Sequence, residues 1–356
     1  MTTIADVATQ AGVSVATVSR VINKTAQATP QTRDKVLRAI TALDYHPNLP
    51  ARNLRRHQTG AILILTPNMT NPFYASILMG IGDTAAKLGS AAFICNTGDD
   101  PARSTAALDR LRRHQADGAI ILSIDTDATW LTDYAAQFPI VQCAEFQPGR
   151  PIAHVSIDNY TASRDVMAYL LGLGHRRIAH ISAANSYQST AARLAGYCDA
   201  TAKAGLPWRP DYVTQGSADY SFASGKQAAQ HLLGLENPPT ALYCISDTLA
   251  LGALVAAQES GLRVPDDISI TGFDNVTETE MIRPYLTTLA QPCYELGQTA
   301  TRMLDDLINH RAPALECVLG HRLVIRESSA AVPAGAPQTT GRPPSAVQSN
   351  QRRRKQ

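Results

Sequence analysis

Ile4-Ala-Asp-Val-Ala-Thr-Gln-Ala-Gly-Val-Ser-Val-Ala-Thr-Val-Ser-Arg-Val-Ile-Asn23 is the stretch on which the reading of the whole chain turns. Thr3, just ahead of it, has Asp6 three residues on, the spacing of a capping box, and Ile4, Val7, Ala8 and Ala11 give the helix that follows one apolar stripe. Gly12 ends that helix. Ser14 caps a second, Val15 to Asn23, in which Val18, Val21 and Ile22 turn inward and Val15, Ala16, Thr17, Ser19 and Arg20 face out. Thr29 followed by Pro30 opens a third, with Val36, Leu37, Ile40 and Leu43 as its apolar positions. Three short helices with no strand between them predict an all-α helix-turn-helix head over residues 1–47.

Downstream, Leu49 to Thr59 is polar and carries Arg52, Arg55 and Arg56, so residues 48–59 read as a linker or short hinge helix. From Gly60 the texture changes. Apolar runs of strand length at Ala61–Leu65, Ala91–Cys95, Gly118–Leu122, Ile140–Cys143, Arg177–Ser182, Ala241–Cys244 and Ile268–Phe273 alternate with amphipathic segments such as Phe73–Leu88 and Asp247–Ser260. That alternation predicts an α/β body of parallel sheets covered by helices, and the strands are too many for one modest sheet. Two lobes are expected within residues 60–328. Residues 329–356 are rich in Pro, Gln and Ser and end on Arg352-Arg353-Arg354-Lys355, the composition of a disordered basic tail.

Charge is distributed unevenly. Residues 1–60 hold 8 Lys/Arg against 3 Asp/Glu, residues 61–330 hold 19 against 27, and residues 331–356 hold 5 against none. A basic head on an acidic body suits a polyanionic partner at one end only. No apolar run approaches the roughly 20 residues of a membrane helix, and the first residues lack the basic and apolar regions of a secretory signal, so a cytoplasmic protein is expected. The six cysteines are scattered without any C-x-x-C, which argues against a zinc site or a disulfide framework.

The head sequence, together with Tyr45-His-Pro-Asn48 and Ala51-Arg-Asn-Leu54, resembles the DNA-binding head and hinge of the LacI/GalR family of transcription regulators. In the body, Asn71-Pro-Phe-Tyr74, Leu173-Gly-His-Arg-Arg-Ile178, Arg193-Leu-Ala-Gly-Tyr197, Ser246-Asp247, Leu251-Gly-Ala253, Gly261-Leu-Arg-Val-Pro265 and Gly272-Phe-Asp-Asn275 follow in that family's order, so the likeness covers residues 2–328. Glu145-Phe146, Ile157-Asp-Asn159 and Leu286 to Pro292 are similar to its cytidine-repressor branch.

The resemblance implies a two-lobed body like a periplasmic binding protein, with one lobe at about 60–159 plus 291–320 and the other at about 160–290 plus 321–328. It implies a sequence-specific repressor, not an enzyme and without a cofactor, that binds a palindromic operator in double-stranded DNA as a homodimer and answers to a small effector between its lobes. Val15, Ala16 and Arg20 would read bases, since small apolar groups approach thymine methyls and an Arg bonds guanine in the major groove. Ser14, Thr17, Ser19, Asn23, Tyr45 and His46 would hold the DNA backbone. Ala51 and Leu54 would act from the hinge, Leu54 as a minor-groove wedge. Pro50 departs from the usual hinge residue, which leaves the length of that helix open.

For the effector, the family motifs and strand ends select Phe73, Ser123, Glu145, Arg193, Tyr220, Asp247 and Asp274, with Tyr220 on a loop longer than the family's usual one. Aromatic faces, paired carboxylates and a guanidinium suit a polyhydroxylated ligand, most simply a sugar or sugar derivative, with a nucleoside equally able to use them. Two other classes fit worse. Gly80-Ile-Gly82-Asp-Thr-Ala85 imitates a dinucleotide fingerprint but lies inside a helical segment instead of after a strand. A transporter's solute-binding protein would share the lobes but not the basic head. The tail contains no leucine, so a C-terminal zipper that would join dimers into a tetramer is not expected.

Overall fold

The computed structural model describes residues 2–23, 28–45 and 58–332, which form two compact units, one ending at Thr59 and one beginning at Gly60. In the first, α1 (Ile4–Ala11), α2 (Val15–Asn23) and α3 (Pro30–Ala42) close on a small core of Val7, Ala8, Ala11, Val18, Val21, Val36, Ala39 and Tyr45. The capping box forms as its residues dictate: Asp6 N–H donates to Thr3 Oγ1 at 3.3 Å and Thr3 N–H to Asp6 Oδ2 at 2.8 Å. Gly12 then takes the left-handed conformation, φ 65°, that stops α1. Leu37 differs from expectation. It is 46% exposed, because Ala39 instead of Leu37 follows Val36 into the core as α3 turns.

The second unit is built on two six-stranded sheets. The first has the order β11-β5-β4-β3-β1-β2, from β1 (Ala61–Thr66), β2 (Ala91–Asn96), β3 (Gly118–Ile121), β4 (Ile140–Cys143), β5 (Ala153–Ile157) and β11 (Glu316–Leu319). All of its pairings are parallel. The second has the order β12-β10-β9-β8-β6-β7, from β6 (Ile178–Ala183), β7 (Val213–Gly216), β8 (Ala241–Cys244), β9 (Ser269–Asp274), β10 (Thr287–Ala290) and β12 (Arg322–Val324), which pairs antiparallel to β10. Both sheets are flanked by helices.

The N-lobe carries α4 (Pro72–Leu88), α5 (Pro101–Arg112), α6 (Trp130–Ala135) and α11 (Cys293–Ile308). The C-lobe carries α7 (Asn159–Gly172), α8 (Gln188–Lys203), α9 (Phe222–Leu233) and α10 (Asp247–Glu259). The chain changes lobe after β5, after β10 and after β11.

Gly80 and Gly297 let α4 and α11 touch backbone to backbone: a Cβ on Gly80 would lie 2.1 Å from Tyr294 O, and one on Gly297 2.2 Å from Ile77 O. Gly80 therefore serves helix packing, which removes the dinucleotide-like motif from consideration.

The last described residues complete the C-lobe. Ile270 N–H donates to Ser328 O at 2.8 Å, Ala330 N–H to Ser269 Oγ at 3.0 Å and Val332 N–H to Leu173 O at 3.1 Å, while His175 Nε2 lies 3.1 Å from Ala330 O. Residues 329–332, expected to begin a disordered tail, are thus held to the C-lobe by backbone hydrogen bonds that composition does not reveal.

Candidate functional site

On the head, α2 presents what its sequence promised. Val15 (44% exposed), Ala16 and Arg20 stand outward, Thr17 and Ser19 are half-buried, and Arg20 makes no ion pair among the described residues. Ser14 caps α2, accepting from Thr17 N–H at 3.2 Å, and its Oγ is 2.9 Å from Thr17 Oγ1. A small-residue tip with a free guanidinium one turn on is a shape that a major groove accepts. Tyr45, expected on the DNA backbone, is packed into the head's core. The Asn23 side chain, His46, Ala51 and Leu54 lie outside the described residues.

In the body, the N-terminus of α4, the end of β4 and the α8 helix converge with the ends of β9 and β10 on a narrow space between the lobes. Asn71 caps α4, accepting from Phe73 N–H at 3.0 Å, and so aims Phe73 and Tyr74 inward, edge to face at 5.1 Å. Opposite stands Arg193. Its guanidinium lies 3.6 Å from the Phe273 ring centre, its Nε donates to Asn159 Oδ1 at 2.9 Å and its Nη1 to Ile245 O at 2.7 Å. Nη2 has no partner among the described residues, so a rigidly held group keeps donors for a ligand.

Two carboxyl groups flank it. Glu145, on the N-lobe, accepts from Ser189 N–H at 3.2 Å and from Ser189 Oγ, both at the start of α8 on the C-lobe. Burial pushes its pKa up to about 7, outweighing the Ser189 bonds and the nearby Arg193, which pull the other way. Asp274 ends β9 at φ 116° and accepts from Gln291 Nε2 at 2.7 Å. Burial also raises its pKa to about 7 against the pull of Arg193.

Phe73, Glu145, Arg193, Tyr220 and Asp274 thus come together as their positions in the sequence suggested. Asp247 does not join them. It is fully buried, Oδ2 accepting from Val276 N–H at 2.9 Å and Oδ1 from Thr288 Oγ1 at 2.5 Å. Its first-turn position on α10 points it under β9 and β10 instead of into the cleft, and burial followed by Asp274's charge raises its pKa well above the usual range.

Ser123 is also off the cleft wall, donating to Asp99 Oδ1 at 2.8 Å. Asn71, Tyr74, Ser189, Ser246 and Gln291, which sequence reasoning left out, do line the space. Asn71 and Tyr74 could have been found as neighbours of Phe73 in the same motif. Gln291 could have been found as the residue at which the chain changes lobe.

The arrangement binds and does not suggest a reaction. His180 is interior to the C-lobe, Nδ1 3.0 Å from Tyr243 O, and burial lowers its pKa to about 4. Among the described residues no three His, Cys, Asp or Glu side chains are placed to hold a metal ion, and no helix is long and apolar enough to cross a membrane.

A helix-turn-helix head joined to a two-lobed binding body defines a ligand-responsive DNA-binding regulator. Comparison with known proteins makes this particular. The profile described as bacterial regulatory proteins, lacI family, matches residues 3–48, and that described as periplasmic binding proteins and sugar binding domain of LacI family matches residues 59–320. The chain belongs to the LacI family of transcription regulators.

It is 36% identical over 334 residues to the HTH-type transcriptional repressor CytR of Escherichia coli K12, covering 93% of this chain and 97% of that protein. The crystal structure of the lac repressor dimer bound to operator and the anti-inducer ONPF superposes with a TM-score of 0.84 at 30% identity, covering 93% and 99% of the two chains. The complex of the transcriptional regulator CelR with cellobiose gives 0.70 at 31%, covering 92% and 100%.

Proposed function

We propose that this regulator is a cytoplasmic repressor which binds a near-palindromic operator as a homodimer and is controlled by a hydroxylated ring compound, a sugar or the sugar part of a nucleoside, held between the lobes. The observation that carries the ligand reading is the spare Nη2 of Arg193, presented between the carboxyl groups of Glu145 and Asp274 and beside the Phe73 and Tyr220 rings. Vicinal hydroxyls donate to carboxylates and accept from a guanidinium, and the apolar face of a sugar ring lies on an aromatic one.

The cellobiose in one relative and the operator and dimer of another support the same reading. Dimerisation also fits the surface. The edge strand β2 exposes Phe93 (55%) and Ile94 beside Leu88, and the C-lobe exposes Met281 (68%) and Ile282.

A thermal-shift screen of the full chain against sugars, sugar phosphates and nucleosides tests it. At least one compound should raise the melting temperature in proportion to the logarithm of its concentration. Arg193→Ala should lose that shift and keep unliganded operator binding. If no compound of these classes shifts the protein, the ligand reading fails.

A further inference from the structure

Beside the cleft lies a second space of about 240 Å³, between the end of β1 and the loop at Gly98–Asp99 on one lobe and Tyr187 with the Ala218–Tyr220 loop on the other. Tyr74 and Tyr220 form walls of both spaces, so the two compartments adjoin.

Three observations concern what it holds. Its lining has three tyrosines, Tyr74, Tyr187 and Tyr220, and two acidic residues, Asp99 and Asp219, with no lysine or arginine. Among the described residues Asp219 accepts from Ser217 Oγ, on its own loop, and Asp99 accepts from Ser123 Oγ with the Tyr187 hydroxyl also engaged on it, so Asp219 keeps the larger acceptor capacity. The Tyr74 side chain is only 4% exposed, yet its hydroxyl makes no hydrogen bond among the described residues. Tyr187, Tyr220, Glu145 and Asp99 surround that hydroxyl electrostatically from both lobes. That hydroxyl opens on the space and is not sealed in the core, and at the junction of the two compartments it is placed to bond a ligand that bridges them.

Resting on the ligand reading above, we propose that this compartment is a specificity subsite for a ring carrying an amino group. Its N–H donates to Asp99 or Asp219, its ring face packs on the tyrosines, and the Tyr74 hydroxyl bonds the ligand where its two parts join. Carboxylates beside aromatic faces favour an amino N–H over a carbonyl, which cannot donate, and a charged ammonium over a neutral hydroxyl at the same place. The amino group can sit on a heterocyclic base or on a sugar, and matched pairs separate these.

Titration calorimetry of the full chain with adenosine against inosine, and glucosamine against glucose, reads the preference directly. In one pair the amino member should bind at least about tenfold more tightly, the size of one hydrogen bond to a charged group. Asp219→Asn or Asp99→Asn should bring that pair within about threefold. Tyr74→Phe should weaken the amino member without lowering the melting temperature of the ligand-free chain, whereas a purely structural hydroxyl would lower it.

The proposal is overturned if both pairs bind alike, if the preference survives both Asp variants, or if all four compounds fail while another compound from the screen binds. In each of those cases the cleft reading survives. Only an empty screen removes it as well.

Discussion

The head and the body solve recognition in opposite ways. On α2 the groups aimed at a partner stand in water: Val15, Ala16 and Arg20 are exposed, and the core beneath them is small. In the body the corresponding groups are interior. Glu145, Arg193 and Asp274 are each at least nine-tenths buried and each already engaged by a neighbour. A duplex brings a long array of phosphates and needs complementary surface, so many weak contacts suffice. A small molecule offers few atoms, so its site must hold polar groups rigidly in low dielectric, where each is worth more and each costs more to bury. A fully buried body group such as Asp247 should therefore register in the fold, and an exposed head group such as Arg20 in binding.

The largest effect should come from Asp247→Ala. It leaves Val276 N–H and the Thr288 hydroxyl buried without their acceptor, at a cost of about 3–5 kcal/mol by the measure of broken buried polar networks. Urea unfolding should show a lower midpoint at unchanged slope, and a shift of a few tenths of a kcal/mol would blur the contrast with the head.

Next comes pH. Glu145, raised from 4.5 to about 7, stabilises below its unfolded pKa, and that contribution is lost as pH rises through 7; its size is on the order of 3 kcal/mol. Asp274 acts in the same direction. His180, lowered to about 4, acts oppositely, its contribution being lost as pH falls below 6.5. On balance melting temperature should fall from pH 5 to pH 8. Glu145→Gln should make the profile visibly flatter, and a profile parallel to the parent's would refute the assignment.

In the head, Arg20→Ala should cost about 1–3 kcal/mol of operator binding and relax selection at one guanine per half-site, with melting unchanged. Selection from random DNA would detect it, and an unchanged consensus would move Arg20 to the DNA backbone. Smallest is Thr3→Ala, which removes a cap worth about 1 kcal/mol and should appear only in melting of the head.

Much of this was legible because long elements announce their period. The caps at Thr3, Ser14 and Thr29, the helix Phe73–Leu88 and the seven long strand runs all read directly. Strands β5, β7, β10, β11 and β12 did not: β3, β4 and β8 are as short, but these five carry His, Ser, Thr, Glu or Arg that breaks the apolar run, and their pairing comes from distant segments.

The site divided along a similar line. Phe73 and Arg193 follow from local motifs, but whether a carboxylate after a strand faces the cleft or the interior depends on a rotation that sequence does not encode. Asp274, at the end of β9, lines the cleft and Asp247, opening α10 just after β8, turns beneath the sheet, although both follow strands of one sheet. Tyr45 and Leu37 exchanged roles for the same reason: a short helical head cannot bury every apolar residue it carries.

The three changes of lobe have a consequence for synthesis. The head's core needs nothing beyond Tyr45, whereas the N-lobe waits for α11 and β11, and the C-lobe waits for β12 and the residues up to Val332 that cover Ser269 and Ile270. On the ribosome the head can finish while both lobes still lack an edge. The body then becomes complete only when nearly all of its chain has emerged. A stop codon anywhere between the head and residue 332 would therefore leave a domain made for DNA with no finished sensor to govern it. Control is the last property this polypeptide acquires.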